Sequence, residues 1–318
     1  MRDTQSKPDV SSKNVLEMLD KENCEMIFGG SSSAVAIAGG KAAKSRRKLY
    51  FGTLTYSNTT TGEEGHKYMF RECYNAWMGA KALGKYLVSA NLRGLKYFYI
   101  TADYTWGRTT EESIRTFSLT TNTRRHMRRY VPFPGATEKD LSNALTWAGA
   151  VKPDVLVLVL FGKDMSRALN ILKKRGMKKK FKAIVVPNLT LGMASEAGAE
   201  AMEGVIGALP WSWNVPYKYN YPKGKEFVEK FSKLHNRYPS SSAASAYTIL
   251  YQYKDAVERA ETFDAKKVIA ALEGHAFVSL KGKQLWRAFD HQAIQPVYTV
   301  RCKPAAEVRR DTFKEYYF

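Results

Sequence analysis

A chain of 318 residues has room for two ordinary domains or one large α/β unit. Its 44% hydrophobic, 13% aromatic and 25% charged residues, with 22 Gly and 11 Pro, exclude collagen-like and low-complexity chains. Against 30 Asp and Glu stand 50 Lys and Arg, a formal charge of +20, which fits nucleic acid, an anionic membrane surface or a merely basic solvated surface.

The longest apolar run, residues 155–161, falls far short of the ~20 residues that span a bilayer and reads as a buried strand. The start of the chain, Met1-Arg2-Asp3-Thr4-Gln5-Ser6-Lys7-Pro8, is polar and carries no secretory h-region. Cys24, Cys73 and Cys302 are widely spaced and odd in number, which argues against a disulfide framework or a CxxC metal site. The histidines form neither HExxH nor a close pair, so no metal and no cofactor are expected.

Apolar strands then alternate with amphipathic helices. Met26-Ile27-Phe28 ends in Gly29-Gly30 and runs into an Ala-rich helix over 34–44. Leu49-Tyr50-Phe51 ends in a polar loop over 53–61, and Tyr68-Met69-Phe70 leads to a helix through Met78, Ala82 and Tyr86. Tyr97-Phe98-Tyr99-Ile100 precedes the loop 101–107 and a helix with Glu111, Glu112 and Arg115. Residues 155–160 form the clearest strand, unbroken and half of it β-branched valine, as in a sheet covered on both faces. The helix over 165–174 stops at Gly176, and strands follow at 184–186 and 205–209. Beyond Trp211-Ser212-Trp213 the chain turns helical over 225–234, 242–260 and 265–273, with a last strand at 296–300. This rhythm predicts parallel sheets with right-handed crossovers.

The basic charge gathers in three clusters, at 44–48, 124–129 and 173–182, each between a helix end and a strand start. Cations there complement the helix dipole and stay solvated. No RRM, KH or zinc-finger pattern accompanies them, so nucleic acid is not expected as a partner.

Ligands of open α/β sheets bind beyond the strand C-termini, where loops and helix N-termini converge. Gly29-Gly30-Ser31-Ser32-Ser33 suits a carboxylate or another oxygen-rich anion there, or Ser31 or Ser32 is simply a helix cap. Thr53-Leu54-Thr55-Tyr56-Ser57-Asn58 is again rich in hydroxyls, and Tyr104 and Trp106 offer aromatic walls. Phe161-Gly162 follows the clearest strand, and Pro187-Asn188 follows the next. Trp211 and Trp213 fit core and cleft equally, whereas Trp147 reads as the face of an ordinary helix. No GxSxG, GxGxxG or P-loop occurs, so no catalytic residue is expected.

These segments resemble the type I periplasmic substrate-binding proteins, in particular the branch that binds Leu, Ile and Val for ABC importers. The stretch Met26-Ile27-Phe28-Gly29-Gly30-Ser31-Ser32-Ser33 is similar to the family's "G-G-x-S-S" segment, and Tyr68-Met69-Phe70-Arg71 to its strand before the first hinge. Asp103-Tyr104-Thr105-Trp106-Gly107 resembles its "D-x-x-Y-G" loop, and Phe289-Asp290-His291-Gln292 with Pro296-Val297-Tyr298 its tail motif. The resemblance implies an α/β fold of two Rossmann-like lobes, with parallel sheets flanked by helices and three crossings. Lobe 1 would take residues 1–72 and 214–288, and lobe 2 residues 73–213, with 289–318 returning to lobe 2 and the tail. It further implies a monomer in the periplasm that closes on a small amino acid, amide or carboxylate and docks an ABC permease. A ligand-sensing regulatory domain of the same fold is the alternative.

Carried over by position, Ser31, Ser32, Ser33, Thr55, Tyr56 and Ser57 would serve the ligand carboxylate. Tyr104 and Trp106 would supply the loop aromatics, and Phe161 and Gly162 the second-lobe wall. Asn188 stands where amino-acid binders carry an acidic partner for the ligand ammonium, with Asp103 and Asp164 as substitutes. Against the family pattern the chain starts after the first two strands and intervening helix, so about 60–80 residues of a usual lobe, by the size of a βαβ unit, are expected to lie outside it. The first lobe is therefore expected to be truncated, as a fragment, a start-site artefact or a shortened paralogue.

Overall fold

The computed structural model describes every residue except Phe313. Contacts divide the chain into two compact units, Met1–Asn75 with Val215–Pro296 and Ala76–Asn214 with Val297–Phe318, so the backbone crosses three times. The expected return at 289 is corrected to 296/297. Residues 289–296 stay with the first unit because β11 (Ala293–Ile294) pairs there and Gln292 bonds Arg71.

The first unit opens with α1 (Pro8–Lys21), where Pro8 sits at the first helical turn, a position that needs no amide donor. It continues through β1 (Met26–Gly29), α2 (Ser33–Ser45), β2 (Leu49–Gly52) and β3 (Met69–Arg71), whose strands form a parallel sheet in the order β1-β2-β3. Gly30 turns the chain at φ +84°, and a Cβ there would stand 2.6 Å from that of Ala36, so glycine is required where α2 closes on the strand.

The second unit runs through α3 (Ala76–Ser89), β4 (Tyr97–Ala102), α4 (Thr105–Ser118), β5 (Arg128–Val131) and α5 (Glu138–Val151). There follow β6 (Val155–Val159), α6 (Gly162–Lys174), β7 (Ala183–Val186), α7 (Leu191–Ala197), α8 (Ala199–Met202) and β8 (Ile206–Leu209). A capping box between Thr137 and Asp140 starts α5. Every residue of β4 and β6 is buried, as strands covered on both faces require.

The chain then re-enters the first unit as α9 (Val215–Lys218), α10 (Pro222–His235), α11 (Ser241–Ala260) and α12 (Ala265–Leu272). An antiparallel sheet follows, made of β9 (Ala276–Ser279), β10 (Gly282–Trp286) and β11. Finally β12 (Tyr298–Arg301) and α13 (Ala305–Arg310) rejoin the second unit, where β12 completes a six-stranded sheet of order β12-β8-β7-β6-β4-β5.

Between the two sheets of the first unit, Phe51, Phe70 and Trp286 form an aromatic triad with centroid distances of 5.3 to 5.9 Å. Ile249 and Leu272 pack the same core from α11 and α12. On the other face of the parallel sheet, Val15 and Leu19 of α1 pack with Ala36, Ala43 and Tyr50. Fully burying one such side chain is worth roughly 1.5–3 kcal/mol. Among the described residues no helix is long and apolar enough to cross a membrane.

Candidate functional site

In the first unit, parallel pairing places the loops after β1 and β2 at one end of the sheet. The serine loop and the 55–57 loop therefore meet: the Ser57 amide donates to Ser33 Oγ at 3.0 Å. The three serines then part in role. Ser31 is exposed, Ser33 is spent on Ser57, and Ser32 is buried at 2% exposure with its Oγ unpartnered among the described residues. Ser32 occupies the N-cap position of α2, yet its side chain makes no capping bond. The structure thus leaves a buried hydroxyl at the positive end of a helix dipole, where an anion is favoured.

The second hydroxyl loop is held rather than offered. Thr55 Oγ1 bonds Thr60 Oγ1 at 2.9 Å, and Ser57 Oγ accepts from the Thr59 amide at 3.3 Å. Tyr56 is buried against Tyr74, with ring centroids 4.9 Å apart. The residue that fixes this loop is Arg71, wholly buried at the end of β3. Its guanidinium donates to the carbonyls of Thr55 (3.1 Å) and Ser57, to Thr61 Oγ1 (2.8 Å) and to Gln292 Oε1 (2.6 Å). Burial lowers its pKa to about 10, which still leaves it charged at neutral pH. Sequence reasoning saw Arg71 only as part of a strand motif, because its anchor Gln292 lies 221 residues away.

Next to it, the segments that leave and re-enter the first unit are tied together by amides. Gln292 Nε2 donates to the Cys73 carbonyl at 2.8 Å, and Gln295 Nε2 donates to the Glu72 carbonyl. The buried Glu72 carboxylate accepts from Ser245 Oγ at 2.6 Å and faces Lys281 Nζ at 3.7 Å. Burial pushes the Cys73 thiol up to about 12, so it is not a thiolate nucleophile.

In the second unit the same topological rule gathers the loops after β4, β6 and β7 at one end of the sheet. Tyr104 stacks on Phe133 at 3.9 Å and lies 5.8 Å from Trp106, which meets Phe161 edge-on at 6.0 Å. Trp106 is 2% exposed, and its Nε1 has no partner among the described residues. Tyr104 and Phe161 are the N-cap residues of α4 and α6, and neither side chain caps its helix. The Gly162 amide donates to Met193 Sδ at 3.0 Å, so this part of the loop is already engaged. Asn188 is buried beyond β7, and Trp211 and Trp213 are buried beyond β8.

The carboxylates named as substitutes for an acidic partner are committed elsewhere. Asp103 is paired with Arg108 at 2.8 Å. Burial raises the Asp164 carboxyl, opposed by a bond from the Ala136 backbone and by Arg167 at 3.9 Å. No group of three His, Cys, Asp or Glu among the described residues is arranged to hold a metal.

A family model described as periplasmic binding protein matches residues 1–307. No curated protein matches the sequence. Among solved structures, a periplasmic binding protein from Burkholderia mallei superposes with a TM-score of 0.87 at 23% identity, covering 100% of this chain and 81% of its own. An ABC-type branched-chain amino acid transporter protein from Rhodopseudomonas palustris is 25% identical with a TM-score of 0.71, over 95% and 79% of the two chains. A solute-binding protein from the same species, solved with 3,4-dihydroxybenzoic acid, reaches 0.80 at 18% identity over 95% and 81%.

Proposed function

The chain belongs to the periplasmic binding protein family and is a solute-binding protein, and from that premise we propose that its ligand is a small carboxylic acid with an apolar or aromatic body and no ammonium group. The observation that carries this reading is the buried, unpartnered Ser32 hydroxyl at the uncapped N-terminus of α2. A carboxylate there would accept from the hydroxyl and from helix amides, a pattern that favours anions. Within the second unit, the Tyr104, Trp106 and Phe161 rings beyond the strand C-termini are apolar surface of the kind that lines small-molecule sites.

An ammonium is disfavoured by the second unit's own loops. Asn188 is an amide, and both Asp103 and Asp164 already have cationic partners. Burying a cation without its counter-charge costs several kcal/mol, about 3–5 when one partner of a buried pair is removed. Neighbours of this fold are solved with 3,4-dihydroxybenzoic acid, with benzoate and with isoleucine, so the choice between acid and amino acid rests on this chain's own residues.

In this reading the protein works in the periplasm and delivers its ligand to the permease of an ABC importer. The test is a calorimetric titration with matched pairs, leucine against 4-methylpentanoate and phenylalanine against phenylpropanoate and benzoates. The acids are expected to bind at least tenfold more tightly than the amino acids. Tighter binding of leucine or phenylalanine than of the matched acids would overturn the assignment.

A further inference from the structure

The six-stranded sheet of the second unit has opposite chemistry at its two ends. Strands β4 to β8 run parallel, so every loop that enters one of them lies at the end away from Tyr104 and Trp106. Arg124 and Arg125 enter β5, Lys152 enters β6, and Lys174, Lys179 and Lys180 enter β7. β12 runs the other way and pairs Arg301 with Ile206, which brings Arg301 to the same end. All seven are exposed.

Some of the cationic charge at this end is spent. Lys178 donates to the carbonyls of Glu200, Ala201 and Glu203 at 2.8, 2.9 and 2.8 Å, and Lys182 pairs with Asp154 at 2.9 Å. The acidic Glu200 is itself taken by Arg309. Lys174, Lys179, Lys180, Lys152 and Arg124 have no carboxylate partner among the described residues. Several unpaired cations from three separate loops thus share one surface.

We propose that this end of the sheet is an electrostatic docking surface for an anionic lipid bilayer. Its cations are spread over several strand-entry loops, which suits an extended sheet of negative charge. Leu119 at 59% and Met127 at 38% are exposed in the loop that carries Arg124, and Trp147, 48% exposed one turn before Lys152, lies under the Arg129 guanidinium. Leu, Met and Trp side chains all suit the headgroup region of a bilayer, where tryptophan is enriched. Bilayer contact at this end leaves the aromatic loops at the other end of the sheet uncovered. The choice of a bilayer over a nucleic acid rests on the importer reading; the charge surface does not.

The experiment is co-sedimentation with vesicles of phosphatidylcholine alone and with vesicles containing about a third phosphatidylglycerol, at low and high salt. Binding is expected only to the anionic vesicles and is expected to vanish at high salt. A basic residue near an anionic surface is worth about fivefold in partitioning. The triple variant Lys174→Gln, Lys179→Gln, Lys180→Gln is therefore expected to lose about a hundredfold, with solute affinity and melting temperature unchanged. Equal binding to neutral vesicles, an unaffected triple variant, or displacement of the vesicles by duplex or single-stranded nucleic acid would each overturn the proposal. A protein that binds anionic vesicles but no carboxylic acid would sink the ligand assignment and leave this one standing.

Discussion

At the scale of single residues, three adjacent serines show how position divides one side-chain type into three roles. Ser33 is a structural tie, and its removal leaves the Ser57 amide without its acceptor. Such a loss costs about 1–3 kcal/mol. The Ser32 hydroxyl has no partner to lose among the described residues. We therefore expect Ser32→Ala to weaken carboxylate binding by about ten- to hundredfold, the worth of a hydrogen bond to a charged group at about 1.5–3 kcal/mol. Its thermal stability should be unchanged or slightly raised, since an unmade buried hydroxyl is removed. Ser33→Ala should show the reverse balance, with a lower melting temperature as its main effect. Calorimetric titration and thermal melts of the two variants separate these outcomes, and equal profiles would refute the division. The loop composition was legible in the sequence as a place for an anion. Which hydroxyl stays unspent was not, because the deciding partner of Ser33 is 24 residues away, and the loop's true anchor, Arg71, looked like one more strand residue.

At the scale of elements, legibility followed burial. The strands of the parallel sheets announce themselves because long apolar runs such as β6 have no polar face to hide. Three features escaped. Residues 8–21 form α1, whose apolar stripe is narrow, with only Ser11, Val15 and Leu19 buried. The sheet β9-β10-β11 is built of short strands that alternate buried and exposed residues and are stabilised by tertiary contacts of Phe277 and Trp286. The third crossing was misplaced because Gln292 and Gln295 look like loop residues until their bonds to the 72–73 backbone are seen. Helix context likewise separates two tryptophans. Trp106 begins α4 and is 2% exposed among Tyr104 and Phe161, whereas Trp147 on α5 is 48% exposed with the Arg129 guanidinium 4.1 Å from its ring. Trp106→Ala is expected to cost about 3–5 kcal/mol of stability and to abolish ligand binding. Trp147→Ala should cost about 0.5–1 kcal/mol, the worth of an exposed cation–π contact, with affinity intact. Because Trp106→Ala opens a cavity, Trp106→Phe serves as the second variant. It should keep most of the stability yet still bind less tightly, and full affinity in that variant would remove Trp106 from the site.

At the scale of the whole molecule, the excess of positive charge and three buried or half-buried histidines act in the same direction as the pH falls. His66 lies between β2 and β3; burial, with Lys44, His291 and Lys41 nearby, lowers its pKa to about 4. Burial also lowers His126, whose Nδ1 accepts from the Tyr97 amide at 3.2 Å and must be unprotonated to do so. His275 shifts the same way through burial and Arg259. In the unfolded chain a histidine takes its proton near 6.5, so between about 6.5 and 4 the unfolded state binds more protons than the folded one. Stability must then rise with pH across that window, by up to about 1.4 kcal/mol per pH unit for each histidine that stays neutral in the fold. It is complete above 6.5 and drains away as acid is added toward the folded pKa values. Protonation adds positive charge to a chain already at +20, which steepens the loss through self-repulsion. Denaturant unfolding at a series of pH values from neutral to 5 is expected to show a monotonic decline. His66→Gln should flatten that decline while leaving stability at neutral pH within about 1 kcal/mol, because the glutamine amide can keep the bond to the Gly40 backbone. A wild-type profile that is level between pH 7 and 5, or a His66→Gln profile as steep as the wild type, would mean that His66 is protonated inside the fold and that burial does not govern its charge.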